Sequence, residues 1–145
     1  MRNLLLVSLL AGAAITGCSK KDHGQAAEAA EATEAASNVP TVTVDELEAA
    51  LASHACEPVD ANGERTRKKM GVIPGARLLS DSETFELSEL PADKAKPLVF
   101  YCSNTHCGSS HEAAAKAITA GYTNVKVMPA GIAGWVKAGK KTASI

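Results

Sequence analysis

The stretch Pro97-Leu98-Val99-Phe100-Tyr101-Cys102-Ser103-Asn104-Thr105-His106-Cys107-Gly108-Ser109-Ser110-His111 decides the architecture. Its first five residues are the most apolar run beyond the N-terminal segment and read as a strand buried on both faces, as in a parallel sheet covered by helices. A small-residue loop follows. Ser110 to Ala120 then places Ala114, Ala117 and Ile118 at helical core spacing, with Gly121 at the stop. In a strand, loop and helix N-terminus of this kind, backbone amides converge on one point and the helix dipole favours negative charge there. A cysteine opening such a loop has its thiolate stabilised, and the thiolate is the nucleophilic form. Open parallel sheets bind ligands outside the carboxyl ends of their strands, so Cys102 and the loop after it are the candidate site.

Outward from this stretch, helical and strand signals alternate, which predicts an α/β domain. Thr43-Val44-Asp45-Glu46 matches a capping box, and Val44, Leu47, Ala50 and Leu51 recur behind it, predicting a helix from Val44 to Ser53. Pro58 to Ala61 is a short strand ending in the carboxylate Asp60, and the polar stretch Asn62 to Met70 is helix-capable. Ile73-Pro74-Gly75-Ala76 turns into a brief strand, Arg77 to Leu79. Asn124 to Met128 is a further strand, and Gly131 to Lys137 a final helix carrying Trp135. Cys56 precedes one strand while Cys102 follows another, so the two lie at opposite ends of the sheet, about 10 Å or more apart and too far to bond. His54 and His111 are expected on solvent-facing helix positions.

The chain begins differently. Met1-Arg2-Asn3, an apolar run from Leu4 to Ile15 and Thr16-Gly17 have the plan of a secretory signal, and the run is too short for a spanning helix. Ile15-Thr16-Gly17-Cys18 resembles the bacterial lipoprotein box, which implies cleavage after residue 17 and a lipid on Cys18. Several acyl chains anchor stably where one binds marginally. The resemblance implies a cell-envelope location facing the periplasm, and Ser19 implies the outer membrane if the envelope is Gram-negative. Residues 18–38 are Ala/Glu-rich with no Leu, Ile, Val or aromatic after Cys18, and read as a tether that cannot bury a core. The folded unit is then 39–145.

Composition narrows the function. Fifteen Lys and Arg against sixteen Asp and Glu leave a formal charge of -1, without the cation excess that nucleic-acid binding requires. Two Phe, two Tyr and one Trp make base-stacking platforms scarce and leave the core to aliphatic residues.

The folded unit resembles the rhodanese-like, or sulfurtransferase homology, family. Asp60 with the charged stretch after it, Gly71-Val72-Ile73-Pro74-Gly75-Ala76, Val99-Phe100-Tyr101-Cys102, Gly121-Tyr122-Thr123-Asn124-Val125 and Gly131-Ile132-Ala133-Gly134-Trp135 fall in the family's order and spacing. The resemblance implies a three-layer α/β fold with a mostly parallel five-stranded sheet flanked by helices. It also implies a mechanism in which the loop cysteine takes sulfane sulfur from a small donor as a persulfide and passes it to a thiophilic acceptor. By position, Cys102 is the nucleophile, the amides of Ser103 through Ser109 (Ser103, Asn104, Thr105, His106, Cys107, Gly108, Ser109) form the cradle, and Ser110 caps the helix. Asp60 takes a supporting role, and Trp135 packs beneath the loop.

Two departures bear on this. The cation that follows the family's cysteine by five positions is replaced by Cys107, and no Arg or Lys lies between Cys102 and Lys116. The loop is also about two residues longer, resembling the phosphatase-like branch, but lacks the Arg that a dianionic phosphoryl group needs. Phosphatase activity and efficient use of thiosulfate are both disfavoured. Arg65, in the basic run Arg65, Arg67, Lys68 and Lys69 beside Asp60, is a candidate replacement cation. Cys107 is a second candidate nucleophile, or a resolving thiol in a redox or relay cycle. The other reading is an inactive module that docks a protein partner. Cys102, His106, Cys107 and His111 lack the two-plus-two spacing of zinc sites, so no metal and no cofactor are expected.

Overall fold

The computed structural model describes residues 38–145. The expected signal segment, the expected lipidation site Cys18 and the expected tether as far as residue 37 lie outside the described residues.

Leu98, Val99, Phe100 and Tyr101 form β3 (Leu98–Tyr101), and all four side chains are buried. Alternation along the strand sends them to two separate cores. Leu98 and Phe100 pack with Val59, Val125, Val127, Phe85, Ala113, Ala114 and Ala117 on one side. Val99 and Tyr101 pack with Leu47, Ile73, Met128, Ile132 and Trp135 on the other. Burying each such side chain stabilises the fold by about 1.5–3 kcal/mol, which is why this run occupies the middle of the sheet. Four strands run parallel in the order β2-β1-β3-β4, with β1 (Glu57–Asp60), β2 (Arg77–Leu78) and β4 (Val125–Val127). A fifth parallel strand is reduced to a single bridge between Thr41 and Val127 at the β4 edge. Its Val42 N–H donates to Val127 O at 2.8 Å and its Pro40 carbonyl accepts from Val127 N at 2.9 Å. The expected fifth strand is thus one residue pair long, because Thr43 caps a helix two residues later.

Among the described residues four α-helices cover the sheet: α1 (Val44–Ala52), α2 (Glu64–Met70), α3 (Ser109–Thr119) and α4 (Gly131–Lys137). The capping box at α1 is formed on both sides, Glu46 N–H donating to Thr43 Oγ1 (3.2 Å) and Thr43 N–H to Glu46 Oε2 (2.7 Å). Among the described residues no helix is long and apolar enough to cross a membrane.

From β1 the chain goes to β2 on one flank and then to β3 and β4 on the other. The switch point therefore falls between the carboxyl ends of β1 and β3, the place where open parallel sheets bind ligands. Asp60 pairs in register with Tyr101 there.

Candidate active site

Cys102 leaves β3 at the switch point and the loop that follows is tied down from below. Ile132 N–H donates to Cys102 O (2.8 Å) and Ala133 N–H to Ser103 O (2.9 Å), so the first turn of α4 holds the first two loop carbonyls. That approach needs Gly131, whose φ is 61°. A Cβ there would lie 2.6 Å from Cys102 O, Ser103 C and Asn104 N, a distance no side chain tolerates. The sequence signal for this clamp was a glycine at the first residue of a helix, where close backbone approach is a standing reason for it.

Above the clamp the loop folds back. Cys107 N–H donates to Asn104 O (3.1 Å) and His106 N–H to Asn104 Oδ1 (2.9 Å). These two amides of the expected cradle are spent within the loop. The Cys107 carbonyl faces the Cys102 sulfur at 3.2 Å, so the loop does not present a closed ring of donors to Cys102. Ser110 does not cap α3. The residue at the cap is Gly108, without a side-chain bond, and Ser110 sits inside the first turn with its hydroxyl 3.3 Å from Cys102 Sγ. Asn104, Thr105 and His106 are exposed at the tip.

The two loop thiols occupy unlike surroundings. Cys102 is 1% exposed. Burial pushes its thiol pKa up, and the neighbouring Cys107 adds to this against an opposing contribution from the Ser110 hydroxyl and amide. Cys107 is half-buried. Partial burial pushes its pKa up too, but bonds from the Cys102 thiol, the Ser103 amide and hydroxyl and the Ser109 hydroxyl outweigh it and bring it down to about 7. The order expected from chain position, Cys102 before Cys107, is reversed in accessibility and acidity. The reason is that Cys102 is enclosed at the end of β3, while Cys107 stands further out in the longer loop near Ser103 and Ser109. All three described cysteines are free thiols. Cys56 is half-buried ahead of β1, and burial raises its pKa.

Asp60 is fully buried at the end of β1, and its Oδ1 accepts from Asn62 N–H (2.6 Å) and Arg67 Nε (3.2 Å). Arg67 also donates to Asp60 O (3.0 Å) and Leu79 O (2.8 Å), joining the ends of β1 and β2 to α2. The arginine paired with Asp60 is therefore Arg67 and not Arg65. Arg65 is exposed and has no ion-pair partner among the described residues. A buried carboxylate must be paired, and only the helix geometry of α2 decides which of the two arginines faces inward. Lys68 is paired with Glu64. Lys116, the first cation after Cys102, is turned away to Glu83 O and Phe85 O. Trp135 is core as expected, its Nε1 donating to Lys141 O (2.8 Å). His54 is exposed as expected but lies in the turn after α1, with a φ of 54°, and not on the helix, whereas His111 is half-buried. Among the described residues no three His, Cys, Asp or Glu side chains stand together as a metal site.

A parallel α/β sheet whose central strand runs into a cysteine loop at a helix N-terminus defines a class of small cysteine-centred domains. Within it the particular family is shown by a family model: the chain belongs to the rhodanese-like domain family, whose model matches residues 43–138. No curated protein matches the chain. Among solved structures it is similar to a protein of unknown function from Rhodopseudomonas palustris, described as a possible tyrosine phosphatase, with 24% identity and a TM-score of 0.63 over 79% of this chain and 92% of that one. It is similar to the rhodanese-like domain of an Anabaena protein, with 22% identity and a TM-score of 0.61 over 73% and 80% of the two chains. A human single-domain sulfurtransferase aligns with 23% identity and a TM-score of 0.55 over 69% and 97%. Likeness at these identities establishes the fold.

Proposed function

We propose that the domain is a sulfurtransferase that carries sulfane sulfur as a persulfide on its loop cysteine pair, with Cys107 as the sulfur that is loaded. The observation that carries this reading is the half-buried Cys107 thiol, brought down to about 7 by the Ser103 and Ser109 donors and the Cys102 thiol at the mouth of the loop. About half of such a thiol is nucleophilic thiolate at neutral pH, against about 3% of an ordinary one. The Cys107 thiolate attacks the outer sulfur of a donor R–S–SH, the donor's S–S bond breaks, and R–S⁻ leaves with a proton from solvent. A thiophilic acceptor, a thiolate or cyanide, then takes the outer sulfur from Cys107. Ser103, Asn104, Thr105, His106, Gly108, Ser109 and Ser110 are the residues proposed to line the path of donor and acceptor. With no cation in the loop, a low-charge persulfide or polysulfide suits it better than dianionic thiosulfate. The sulfurtransferase among the structural neighbours supports the same reading.

The test uses the full-length protein, reduced in detergent and incubated with glutathione persulfide or thiosulfate, then alkylated and mapped by mass spectrometry. A gain of about 32 mass units on the Cys107 peptide is expected when the protein is alkylated early after addition of the persulfide donor. Absence of any such gain on Cys102 or Cys107, with no sulfide released and no internal disulfide formed, rejects sulfur transfer, and a gain on Cys102 alone restores that residue as the nucleophile.

The proposal extends to location. The Met1–Cys18 pattern supports a lipid-anchored envelope protein facing the periplasm, with its lipid on Cys18 and Ser19 directing it to the outer membrane in a Gram-negative cell. Labelled palmitate is expected in the wild-type protein and not in Cys18→Ala; equal labelling of both rejects the anchor.

A further inference from the structure

The Asn104–Cys107 turn does more than expose Cys107. It lays the backbone of Cys107 against the Cys102 thiol, which donates to the Cys107 carbonyl at 3.2 Å, and so sets the two cysteines side by side. Cys102, at 1% exposure, is closed to any molecule from solvent. A sulfur placed on Cys107 is therefore the one external electrophile it can meet. A buried thiol set against the backbone of a more open loop cysteine is placed for thiol–disulfide exchange within the loop.

We propose that Cys102 is an internal resolving thiol that discharges the Cys107 persulfide as sulfide, leaving a Cys102–Cys107 disulfide to be reset by an external dithiol. This rests on the persulfide reading above. Cys102 Sγ attacks Cys107 Sγ, the Cys107–S–SH bond breaks and the Cys102–Cys107 bond forms. The outer sulfur leaves as HS⁻ and takes up the Cys102 proton as H₂S. The sulfane sulfur gains two electrons, and the two cysteine thiols lose them. A dithiol reductant then returns two electrons and two protons to the disulfide and is itself oxidised to a disulfide. The chemistry of the site then implies two partners, a persulfide or polysulfide donor and a dithiol reductant, with sulfide as the product.

Three features of the loop serve this step. The Ser110 hydroxyl, 3.3 Å from Cys102 Sγ, is placed to donate to the thiolate as it forms. The leaving sulfur departs from the half-buried side of Cys107 toward the open loop tip, where Asn104, Thr105 and His106 are exposed. The clamp from Ile132 and Ala133 keeps the backbone on either side of Cys102 fixed, so that exchange requires movement of the Cys107 side only. The raised pKa of Cys102 keeps it protonated and idle until an electrophilic sulfur is adjacent.

The experiment loads the reduced full-length protein in detergent with glutathione persulfide, removes excess donor without adding reductant, and follows free sulfide alongside the mass of the loop peptide. In the wild type, sulfide is expected at about one per chain, with the loop peptide about two mass units lighter than its dithiol form and restored by dithiothreitol. Cys102→Ser, a near-isosteric change, is expected to hold the persulfide on Cys107 and release sulfide at least roughly ten-fold more slowly. A wild-type protein that keeps its persulfide as long as Cys102→Ser, with no internal disulfide, overturns the resolving role while leaving sulfur loading intact. A protein that gains no sulfur, releases no sulfide and forms no disulfide overturns the transfer reading and this step with it. The wild-type measurements stand alone should Cys102→Ser fold poorly.

Discussion

Replacing Gly131 by Ala tests whether α4 holds the Cys102–Gly108 loop by backbone contact. Two costs apply. Gly131 has a φ of 61°, and an L side chain in the left-handed region costs about 1–2 kcal/mol. The new Cβ would also meet Cys102 O, Ser103 C and Asn104 N at 2.6 Å, all backbone atoms that cannot rotate aside, and overpacking of this kind costs about 1–3 kcal/mol. The sum is about 2–5 kcal/mol. Gly139 provides the reference: its φ is 74° and nothing lies within 4 Å of its would-be Cβ, so Gly139→Ala carries the conformational cost alone, about 1–2 kcal/mol. Urea denaturation of both variants against wild type isolates the clash as a difference of about 1–3 kcal/mol. A second readout is independent of stability. Relief of the clash displaces Ser103, whose amide and hydroxyl help lower the Cys107 thiol, so the pH midpoint for alkylation of Cys107 is expected to rise from about 7 toward about 8.5. If Gly131→Ala costs no more than Gly139→Ala and leaves that midpoint unchanged, the clamp does not support the site.

Alkylation of Cys107 in the wild type is expected to rise with pH through a midpoint near 7 and to level off about one to two units below an ordinary thiol. Ser109→Ala removes one of the donors and is expected to raise that midpoint by about 0.5–1 unit, while an unchanged profile in Ser109→Ala would show that the hydroxyl is not bonded to the thiolate. Because this pKa is lower in the folded chain than in the unfolded one, the stabilisation is fully present above the unfolded thiol's value of about 8.5. It is lost as pH falls through about 7, which a urea midpoint series across that window checks. Arg67→Met strands the buried carboxylate of Asp60 and is expected to cost about 3–5 kcal/mol in chemical denaturation, whereas Arg65→Met is expected to cost less than about 0.5 kcal/mol. Tyr101→Phe removes the hydroxyl that accepts from buried Ile73 N–H at 3.0 Å, and a loss of about 1–3 kcal/mol is expected by the same assay.

Much of the fold could be read locally. The run Leu98–Tyr101 is a central strand because it is apolar on both faces, and the capping box at Thr43 starts its helix where the pattern places it. The last helix, Gly131–Lys137, has the predicted bounds. Sheet width was less legible, since the edge pairing of Thr41 with Val127 is one bridge long and leaves no alternating pattern. At the site, chain position pointed to the right loop but not to the chemical states of its thiols. Burial and hydrogen-bond donors separate Cys102 from Cys107, and neither quantity is a property of a residue type. The choice of Arg67 over Arg65 was hidden for the same reason: both stand on one short helix, and only its packing turns Arg67 toward Asp60.

The sequence by itself determined a parallel α/β domain with a cysteine loop at a helix start, the membership implied by five motifs in register, and a loop without a cation. Those follow from periodicity, residue size and charge, which are local. Only the tertiary structure decided that the loop doubles back, that its base is clamped to α4 through Gly131, and that Cys102 is closed to solvent while Cys107 is held toward its thiolate. These depend on atoms from β3, the loop, α3 and α4 meeting within a few ångströms, and a thiol's acidity responds to the donors and solvent at that distance, not to its place in the chain.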